Sequence, residues 1–565
     1  MAAADGASRS TPVSVFRGGR VLTGDAARRA SAVAVVDGRV GAVGGDDAVA
    51  PYLDRADEIV DLGGRALLPG FLDAHAHPVN AGVERARCDL TPLGDAAAYL
   101  AAVGEYVARH PEREWVLGGG WSMDAFPGGR PDNRRLDEVA GTRPVFLPNR
   151  DHHSAWVSSA ALRRAGIDAG TPDPAHGRIE RDGRGEPTGL LHEGAMDLVE
   201  RVLPATTQGE YDEGLALAQE HLLSLGVVGW HDAWVPVPGT DGEAVQATVH
   251  ETYLRAQRAG TLVARVSGAL WWDRSWGRDD LPERLARLDA VRRAAGDAGD
   301  RYRVHSVKIM QDGVLETFTA ALVQPYLDAC GCATANRGIS FFEPAVLEAV
   351  VVALDRAGFD LHVHALGDLA VRDALDAIEA ARRENGTGGG RHHLAHLQLV
   401  QPPDVERLAR LGVSANLQPL WACHEPQLDE LTVPFLGADR AGRQYPFGEL
   451  RRAGVHLAMG SDWPVSNPDP IAGVHVAVNR KPPGNGDAEP LGAGQELPLA
   501  VALRAYTAGS AWLNRVDDVT GSIRPGAAAD LVLLDRDPFS GPPEEIAACR
   551  VVRTYVAGVP VHATD

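Results

Sequence analysis

The chain has 565 residues, of which 45% are hydrophobic, and it carries 76 acidic against 55 basic side chains. This length favours several domains or one large barrel with additions. The formal net charge of −21 argues against nucleic acid or an anionic membrane surface as the main partner. The five cysteines are odd in number and include no Cys-x-x-Cys pair, which argues against a thiolate zinc site and indicates a reduced, cytoplasmic protein.

The first residues, MAAADGASRSTP, lack the apolar run of a signal peptide. We therefore expect a disordered tail over residues 1–12. Because no stretch reaches about 18 consecutive apolar residues, the sequence predicts no membrane span.

Short β-strands are predicted at both ends of the chain. Near the start, two strand-like runs flank the dipeptide Asp37-Gly38, and near the end two further runs flank Ala557-Gly558. Such two-residue connections are typical of tight β-hairpins. Two β-rich ends around a long middle predict one small β-sandwich built from both chain ends.

The middle of the chain alternates apolar strand-like runs with helical patterns. The strand candidates include Ala66–Leu68, Pro144–Leu147, Val227–Trp230, Val304–Ile309, Leu361–His364, His393–His396, Val413–Asn416 and Val455–Met459, and the helix candidates include 212–225, 343–357, 369–383 and 403–411. This alternation predicts an α/β fold with a (β/α)₈ TIM barrel. A doubly wound sheet is the alternative, although no G-x-G-x-x-G motif follows a strand.

These patterns divide the chain into domains. We predict a β-sandwich domain from residues 13–68 plus 516–565 and a metal-dependent catalytic barrel over residues 69–515. Residues 105–205 exceed the length that one strand–helix unit needs, so an insertion is predicted there, near the mouth of the active site.

The most informative motif is His75-Ala76-His77, within PGFLDAHAHP. Side chains two residues apart lie on one side of an extended segment, so both imidazoles could bind one divalent ion. Two ordinary polar residues in a loop are the alternative. The position after the apolar run Ala66–Leu68 favours a metal site, because barrel enzymes keep their catalytic groups at strand ends.

Four further candidates follow later predicted strands: Lys308, His364, His396 and Asp462. Each has an ordinary explanation, since Lys308 could pair with Asp312 and Asp462 could cap a helix. The neighbouring His362 and His393 show that a histidine near a strand end need not be a ligand. The occurrence of all these elements in strand order nevertheless favours a metal centre.

The sequence resembles the amidohydrolase superfamily, in particular the branch of N-substituted formamide deformylases and YtcJ-like proteins. The matching segments are LLPGFLDAHAHP (67–78), RDHHSAWVSSAAL (150–162), VKIMQDG (307–313), LHVHALGD (361–368), HLAHLQLV (393–400), GSDWPV (460–465) and GSIRPGAAADLVLLD (521–535). The resemblance covers nearly the whole chain.

This resemblance implies a binuclear site, usually for zinc. The implied ligands are His75, His77 and Asp462 for the first ion and His364 and His396 for the second. Lys308 would bridge both ions as a carboxylated lysine, a carbamate formed with carbon dioxide, because a free ammonium has no acceptor atom. An unmodified Lys308 beside a single ion is the alternative.

The expected reaction is hydrolysis of a C–N bond in an amide, N-acyl or N-formyl compound by a hydroxide that two ions share. Asp462 would take the hydroxide proton and pass it to the leaving amine. One alternative is a deaminase or a cyclic amide or ester hydrolase on the same fold, and a remote one is a non-catalytic scaffold protein. The expected partner is a small-molecule substrate. A second copy of the chain, forming a homodimer, is a further expectation that no particular residue supports.

The substrate pocket is less well specified by the sequence. His153, in RDHHSAW, is expected to donate to the substrate carbonyl, with a purely structural histidine as the alternative. The other pocket candidates are Trp121, Asp124, Trp156, His231, Asp232, Glu316, Phe318, Trp421 and Trp463, of which the aromatic residues could instead belong to the core. Glu316 stands where the branch has a small or polar residue, so the substrate of these relatives does not transfer directly.

Overall fold

The computed structural model describes residues 12–24, 29–237 and 248–564. The tail predicted over residues 1–12 lies outside these ranges except for its last residue. Within these ranges, no helix combines the length and the apolar character that crossing a membrane requires.

The strands, numbered in chain order, are β1 (Val13–Leu22), β2 (Arg29–Val36), β3 (Arg39–Gly44), β4 (Glu58–Asp61), β5 (Ala66–Pro69), β6 (Phe71–Ala76), β7 (Cys88–Asp89), β8 (Val116–Gly119), β9 (Val145–Pro148), β10 (Ser154–Val157), β11 (Gly177–Arg181), β12 (Pro187–Glu193), β13 (Val227–Val235), β14 (Arg265–Trp271), β15 (Tyr302–Met310), β16 (Asp360–Ala365), β17 (His393–His396), β18 (Ser414–Leu417), β19 (Leu457–Met459), β20 (Leu531–Leu534), β21 (Val551–Val556) and β22 (Val559–Ala563).

The α-helices are α1 (Asp46–Leu53), α2 (Pro78–Arg85), α3 (Ala96–Arg109), α4 (Asn133–Ala140), α5 (Ser159–Ala165), α6 (Asp197–Glu200), α7 (Gln208–Ser224), α8 (Val249–Ala259), α9 (Leu281–Ala298), α10 (Pro344–Arg356), α11 (Asp368–Asn385), α12 (Pro402–Leu411), α13 (Pro426–Leu431), α14 (Ala438–Ala441), α15 (Phe447–Arg452), α16 (Pro470–Asn479), α17 (Leu499–Arg504) and α18 (Ser510–Leu513).

Eight parallel strands form the central sheet, in the order β6, β13, β14, β15, β16, β17, β18 and β19. Strands and helices alternate along this part of the chain, and the sheet nearly closes between its outer strands β6 and β19. The structure therefore confirms the predicted TIM barrel. Because all eight strands are parallel, their carboxyl ends meet at one end of the barrel, where such folds place catalytic groups.

Two predicted barrel strands lie in other sheets. Ala66–Leu68 falls in β5, which pairs with β1 and β20, and the barrel strand is the following segment β6. The chain passes between the sheets at Gly70, where a Cβ atom would lie 2.5 Å from the Val228 side chain. The run Pro144–Leu147 falls in β9, outside the barrel. Strand β14 was missed because Ser267 and Gly268 interrupt its apolar run.

Strands from both chain ends share one sheet, in the order β22, β21, β20, β5, β1, β2 and β3, with β4 paired to β1. The two predicted hairpin turns are confirmed: Asp37 and Gly38 have φ values of 51° and 70°, and Ala557 and Gly558 have 48° and 74°. The rings of Phe16 and Tyr555 meet at 5.2 Å, so opposite ends of the chain share a core. A closed two-layer sandwich stays a prediction.

A third sheet lies between β6 and β13 in the chain, in the order β11, β12, β10, β9, β8 and β7. It has its own buried core, which includes Trp121, Phe126 and Trp156. This sheet occupies much of the region in which the sequence predicts an insertion, and β7 begins earlier, at Cys88. The predicted domain boundaries themselves stay predictions.

Candidate metal centre and active site

Six sequence-predicted ligands meet at the carboxyl end of the barrel. His75 lies in β6, Lys308 in β15, His364 in β16 and His396 in β17, while His77 directly precedes α2 and Asp462 follows β19. All are buried except His77, whose side chain keeps 19% of its surface exposed. The candidate ligands on β15, β16 and β17 stand near the carboxyl ends of their strands but are offset in register, since Lys308 pairs with His362 and His396 with Ala365.

The Asp462 carboxylate lies between two histidines. Its Oδ1 is 3.0 Å from Nε2 of His77 and 3.3 Å from Nε2 of His75. These three residues form a group whose ligand atoms all lie within 4.8 Å of one another. The arrangement brings two imidazoles and one carboxylate to a common point, which is a donor set that suits a divalent transition metal.

The remaining candidates border this group. Nζ of Lys308 is 3.2 Å from Nε2 of His75. The His396 ring lies 4.8 Å from that of His75 and 4.5 Å from that of His364, and its Nδ1 is 3.9 Å from Oδ2 of Asp462. Nδ1 of His396 is buried and has no hydrogen-bond partner among the described residues. Lys308, His364 and His396 therefore offer further nitrogen atoms that could bind a metal ion beside the first group.

Charge states at the site fit metal binding. Burial, followed by the nearby Lys308, lowers the pKa of His75 to about 3. Burial likewise holds the pKa of His364 and of His396 well below the ordinary value. Burial alone would raise the pKa of Asp462, but His75 and His77 outweigh it and hold that pKa well below its usual range. Neutral imidazoles and an ionised carboxylate are the forms that bind a metal ion.

Lys308 is almost fully buried, and burial makes its ammonium group lose a proton more readily than an exposed lysine does. Burial lowers its pKa to about 8, against the attraction of Asp462. The suggested pairing with Asp312 is not seen among the described residues, because that carboxylate accepts from the backbone N–H groups of Gly367, Ala321 and Leu366 at 2.8, 2.9 and 3.1 Å. The lowered pKa increases the fraction of Lys308 present as the free amine, which is the form that reacts with carbon dioxide.

Backbone hydrogen bonds join the two edges of the barrel at this site. The Asp462 N–H donates to the His75 carbonyl at 2.6 Å, and the His77 N–H donates to the Trp463 carbonyl at 2.8 Å. Asp462 has a φ of 57°, an unfavourable conformation that these contacts maintain. These bonds form a seam between the β6 and β19 edges of the barrel. The sequence pattern did not reveal this seam, although candidate ligands on both sides of it were identified.

Asp73 also holds the seam, and the sequence analysis did not select it. It is buried in β6, and its carboxylate accepts from the N–H groups of His75 at 2.9 Å and Ser461 at 3.0 Å. It therefore fixes the backbone at the candidate ligand His75 and at Ser461, the residue before the candidate ligand Asp462. Its position two residues before His75 was the one available signal.

His153 lies beside the metal site, with its ring centroid 5.6 Å from that of His364. Its Nδ1 is 2.8 Å from Oε1 of Glu193, a partner that sequence reasoning missed. Burial disfavours the charged ring, but the Glu193 carboxylate outweighs burial and raises the pKa of His153 to about 9. A protonated His153 can donate from Nε2 to a substrate oxygen.

A cavity of about 520 Å³ lies next to the metal site. The Trp421 ring, which lines it, stacks on His396 at 5.2 Å and an interplanar angle of 12°. Trp463 and Glu316 also line it, as the sequence predicts for the pocket. Burial, then the neighbouring Asp151, raises the pKa of Glu316 to about 7. The cavity thus combines aromatic walls with a carboxyl group of altered acidity.

The remaining pocket candidates do not line this cavity. Trp121 and Trp156 pack 6.2 Å apart in the core of the inserted sheet, and the Ser122 hydroxyl donates to Asp124 there. Phe318 packs on Phe435 at 4.9 Å. Their roles in substrate binding stay predictions.

His231 and Asp232 are consecutive buried residues of β13. Asp232 accepts from the Tyr253 hydroxyl at 2.8 Å. His231, His362 and His393 form a second buried group with ligand atoms within 4.8 Å of one another. The sequence analysis used His362 and His393 only as examples of histidines that need not be ligands. The period of two between His362 and His364 was the signal that both face the barrel interior.

Comparisons with known proteins agree with this geometry. The model of the amidohydrolase family matches residues 58–562. A protein of Bacillus subtilis (strain 168) named YtcJ is 30% identical over 553 residues, which span 96% of this chain and 98% of that protein. The N-substituted formamide deformylase of Arthrobacter pascens is 29% identical over 541 residues, 94% of each chain.

A solved structure also resembles the whole chain. The crystal structure of an uncharacterized metal-dependent hydrolase from Pyrococcus horikoshii OT3 superposes with a TM-score of 0.72 at 26% identity, covering 94% of this chain and 99% of that one. Family, fold and ligand geometry lead to one conclusion: the chain belongs to the amidohydrolase family and is a metal-dependent amidohydrolase.

Proposed function

We propose that this protein hydrolyses the C–N bond of an amide, N-acyl or N-formyl compound at a two-metal site. The observation that carries the proposal is the convergence of His75, His77 and Asp462, with carboxylate–imidazole distances of 3.0 and 3.3 Å. The name of the Arthrobacter pascens relative, a formamide deformylase, supports the N-formyl part of this substrate class.

The proposed metal is zinc, because imidazole and carboxylate ligands suit it. His75, His77 and Asp462 would hold one ion, and His364 and His396 the other. When bound, such ions lower the pKa of water and polarise a carbonyl group. Lys308 would lie between them as a carbamate. Its neutral amine adds to carbon dioxide, forms an N–C bond and releases one proton, which converts a donor into an anionic ligand.

Asp462 is proposed to move the proton during hydrolysis. Its carboxylate is ionised, buried and placed between His75 and His77, so it can accept a proton from the attacking water. The same group then donates that proton to the nitrogen that leaves as an amine. The backbone bonds at Asp462 keep the carboxylate in position throughout.

His153 is proposed to hold the substrate carbonyl. Glu193 keeps the ring protonated and fixes its orientation through Nδ1, which leaves the Nε2 proton free to donate. A donor placed where negative charge develops on the carbonyl oxygen lowers the barrier to acyl transfer. The neighbouring cavity would hold the rest of the substrate, against Trp421 and Trp463.

Metal analysis and a substrate panel test this function together. The purified protein is assayed for bound ions per chain and for amine release from N-formyl, N-acetyl and N-acylamino compounds. We expect two ions per chain and activity on at least one of these classes. One ion per chain with deamination of a ring substrate would contradict the proposal, as would a protein that binds no ion.

A further inference from the structure

We propose that His362 is a positioning residue that holds the proton of His75 on Nδ1, so that Nε2 of His75 keeps its lone pair for a metal ion. The idea rests on the metal placement of the proposed function. It adds a role for the buried histidines beneath the site, which that function does not use.

Three imidazoles fill the barrel interior below the metal centre, and all are fully buried: His231 on β13, His362 on β16 and His393 on β17. The His362 ring lies 4.2 Å from that of His393 and 4.9 Å from that of His231. A neutral imidazole carries one proton, on either Nδ1 or Nε2, and the atoms beside each ring indicate which of the two nitrogens holds it.

Hydrogen-bond partners determine the proton position in two of the rings. Nδ1 of His393 is 3.3 Å from the Arg391 carbonyl, which only accepts, so this nitrogen carries the proton. The Ser306 hydroxyl oxygen lies 2.7 Å from Nε2 of His231 and 3.3 Å from the Gly268 carbonyl, and we assign its single hydrogen to that carbonyl, so that Nε2 of His231 donates to the hydroxyl oxygen. Nε2 of His393 and Nδ1 of His231 thus carry lone pairs.

The third ring connects this interior to the metal centre. Nε2 of His362 is 2.9 Å from Nδ1 of His75. The other nitrogen of His75, Nε2, faces Lys308 and Asp462 at 3.2 and 3.3 Å, which is where an ion would bind. Nε2 of His75 can bind an ion only if its proton sits on Nδ1, and Nδ1 then donates to Nε2 of His362.

The same assignment places the His362 proton on its own Nδ1. Within the described part of the chain, Nδ1 of His362 has no hydrogen-bond partner, and neither do Nε2 of His393 and Nδ1 of His231. In the group of three rings, the proton on Nδ1 of His362 therefore lies near the lone pairs on Nε2 of His393 and Nδ1 of His231. In this arrangement the His75 proton on Nδ1 faces an acceptor, Nε2 of His362, and Nε2 of His75 is left free for a metal ion, while Nδ1 of His362 makes no hydrogen bond within the described residues.

The three interior rings could alternatively hold an ion themselves. That requires a lone pair on Nδ1 of His362, which moves the proton to Nε2 and makes it donate to His75. His75 then carries its own proton on Nε2 and cannot bind an ion there. The two sites need opposite tautomers, and the outer one has the Asp462 carboxylate to balance the ionic charge, which the interior group lacks.

The test compares two amide substitutions at one position. In His362→Gln the amide oxygen reaches the place of Nε2 and can accept from His75, whereas the shorter amide of His362→Asn ends near Nδ1. Zinc affinity is measured by chelator competition on metal-stripped protein, without any assay of turnover. We expect His362→Gln to bind within about threefold of the original protein and His362→Asn to bind about 10- to 100-fold more weakly.

His250 supplies the matched control. It is also buried, and its Nδ1 is 3.0 Å from the Tyr302 hydroxyl, away from the ligands. His250→Gln and His250→Asn should both bind zinc like the original protein, with thermal unfolding showing that all four variants are folded. Equal zinc affinity of the two His362 variants would overturn the proposal.

A spectroscopic readout covers the case in which His362→Asn does not fold. In metal-free protein with ¹⁵N-labelled histidine, the proposal expects the His75 proton on Nδ1, with a coupling to the Nε2 of His362. A proton on Nε2 of His75 would overturn it. Because neither measurement uses turnover, failure of the proposed reaction would be seen separately, as unaltered metal binding without hydrolysis.

Discussion

The metal site and the neighbouring cavity are built from different parts of the chain. The candidate ligands stand on or directly after barrel strands, on a sheet whose eight members hold one another in register. The cavity walls come from loops between strands, such as the segments that carry Glu316 and Trp421. Between these two lies His153, whose partner Glu193 ends a strand of the inserted sheet. The candidate metal ligands thus stand on the barrel scaffold, whereas the cavity walls stand on loops, the part of such folds in which insertions and changes are best tolerated.

This contrast predicts that a substitution reduces activity less when the residue lies in a loop than when it lies on or directly after a barrel strand. The largest expected effect is at Asp462. Asp462→Asn keeps the size of the side chain but removes the charge and the proton acceptor, so kcat should fall about 10³-fold. Steady-state kinetics with metal analysis would check this, and near-original kcat with the metal retained would contradict the role of Asp462.

The next largest effect is expected at Lys308. Lys308→Gln cannot form a carbamate, so the protein should hold fewer ions per chain and lose about 10²-fold in kcat/KM. In the original protein, ¹³C-labelled carbon dioxide should give a carbamate resonance that the variant lacks. If the variant keeps both ions and full activity, Lys308 does not bridge the site.

Glu193 should show an intermediate effect. Glu193→Gln removes the charge that raises the pKa of His153 to about 9, so the ring loses its proton at lower pH. Because activity requires protonated His153, the alkaline decline of kcat/KM should move to lower pH, with about a 10-fold loss at neutral pH. Glu180→Gln is the matched control, since Glu180 pairs with His192 at 3.5 Å in the same sheet. An unchanged pH profile would remove His153 from the mechanism.

The smallest effect is expected on the cavity wall. Glu316→Gln removes a carboxyl group that lines the cavity, without touching a ligand. For substrates with a basic group, KM should rise less than about 10-fold while kcat stays nearly constant. Comparing substrates with and without such a group measures this, and a large fall of kcat for both would mean that Glu316 belongs with the metal site.

The same contrast explains which features of the fold and of the candidate site could be predicted from the sequence. The ligands could be predicted because each follows a short apolar run, and a strand pattern is local in the chain. Asp73 and Glu193 were missed because their contacts with Ser461 and His153 span 388 and 40 positions of the chain, and only the fold brings these residues together. Ala66–Leu68 was grouped with the barrel strands although the predicted boundary at residue 68 placed it with the chain ends, where it lies, because a buried strand has the same apolar pattern in either sheet. Strand β14, which polar and small residues interrupt, gave no such pattern.

The buried histidines show a further reason why the sequence does not specify the whole site. A histidine on a strand can be a ligand, a support or a core residue, and its sequence context is the same in each case. What separates His362 from His364 is depth in the barrel, which depends on the register of several strands. Register is set by packing across the whole sheet and is not encoded near either residue.

The seam between β6 and β19 also bears on how the protein matures. His77 and Asp462 are 385 positions apart in the chain, yet they are joined side chain to side chain and through neighbouring backbone bonds. During synthesis the first ligands emerge long before the last, and they cannot complete a site until the final barrel strand is added. A metal ion that needs both His77 and Asp462 could therefore bind only after the barrel has closed, and a chain truncated before β19 would lack Asp462 beside these histidines.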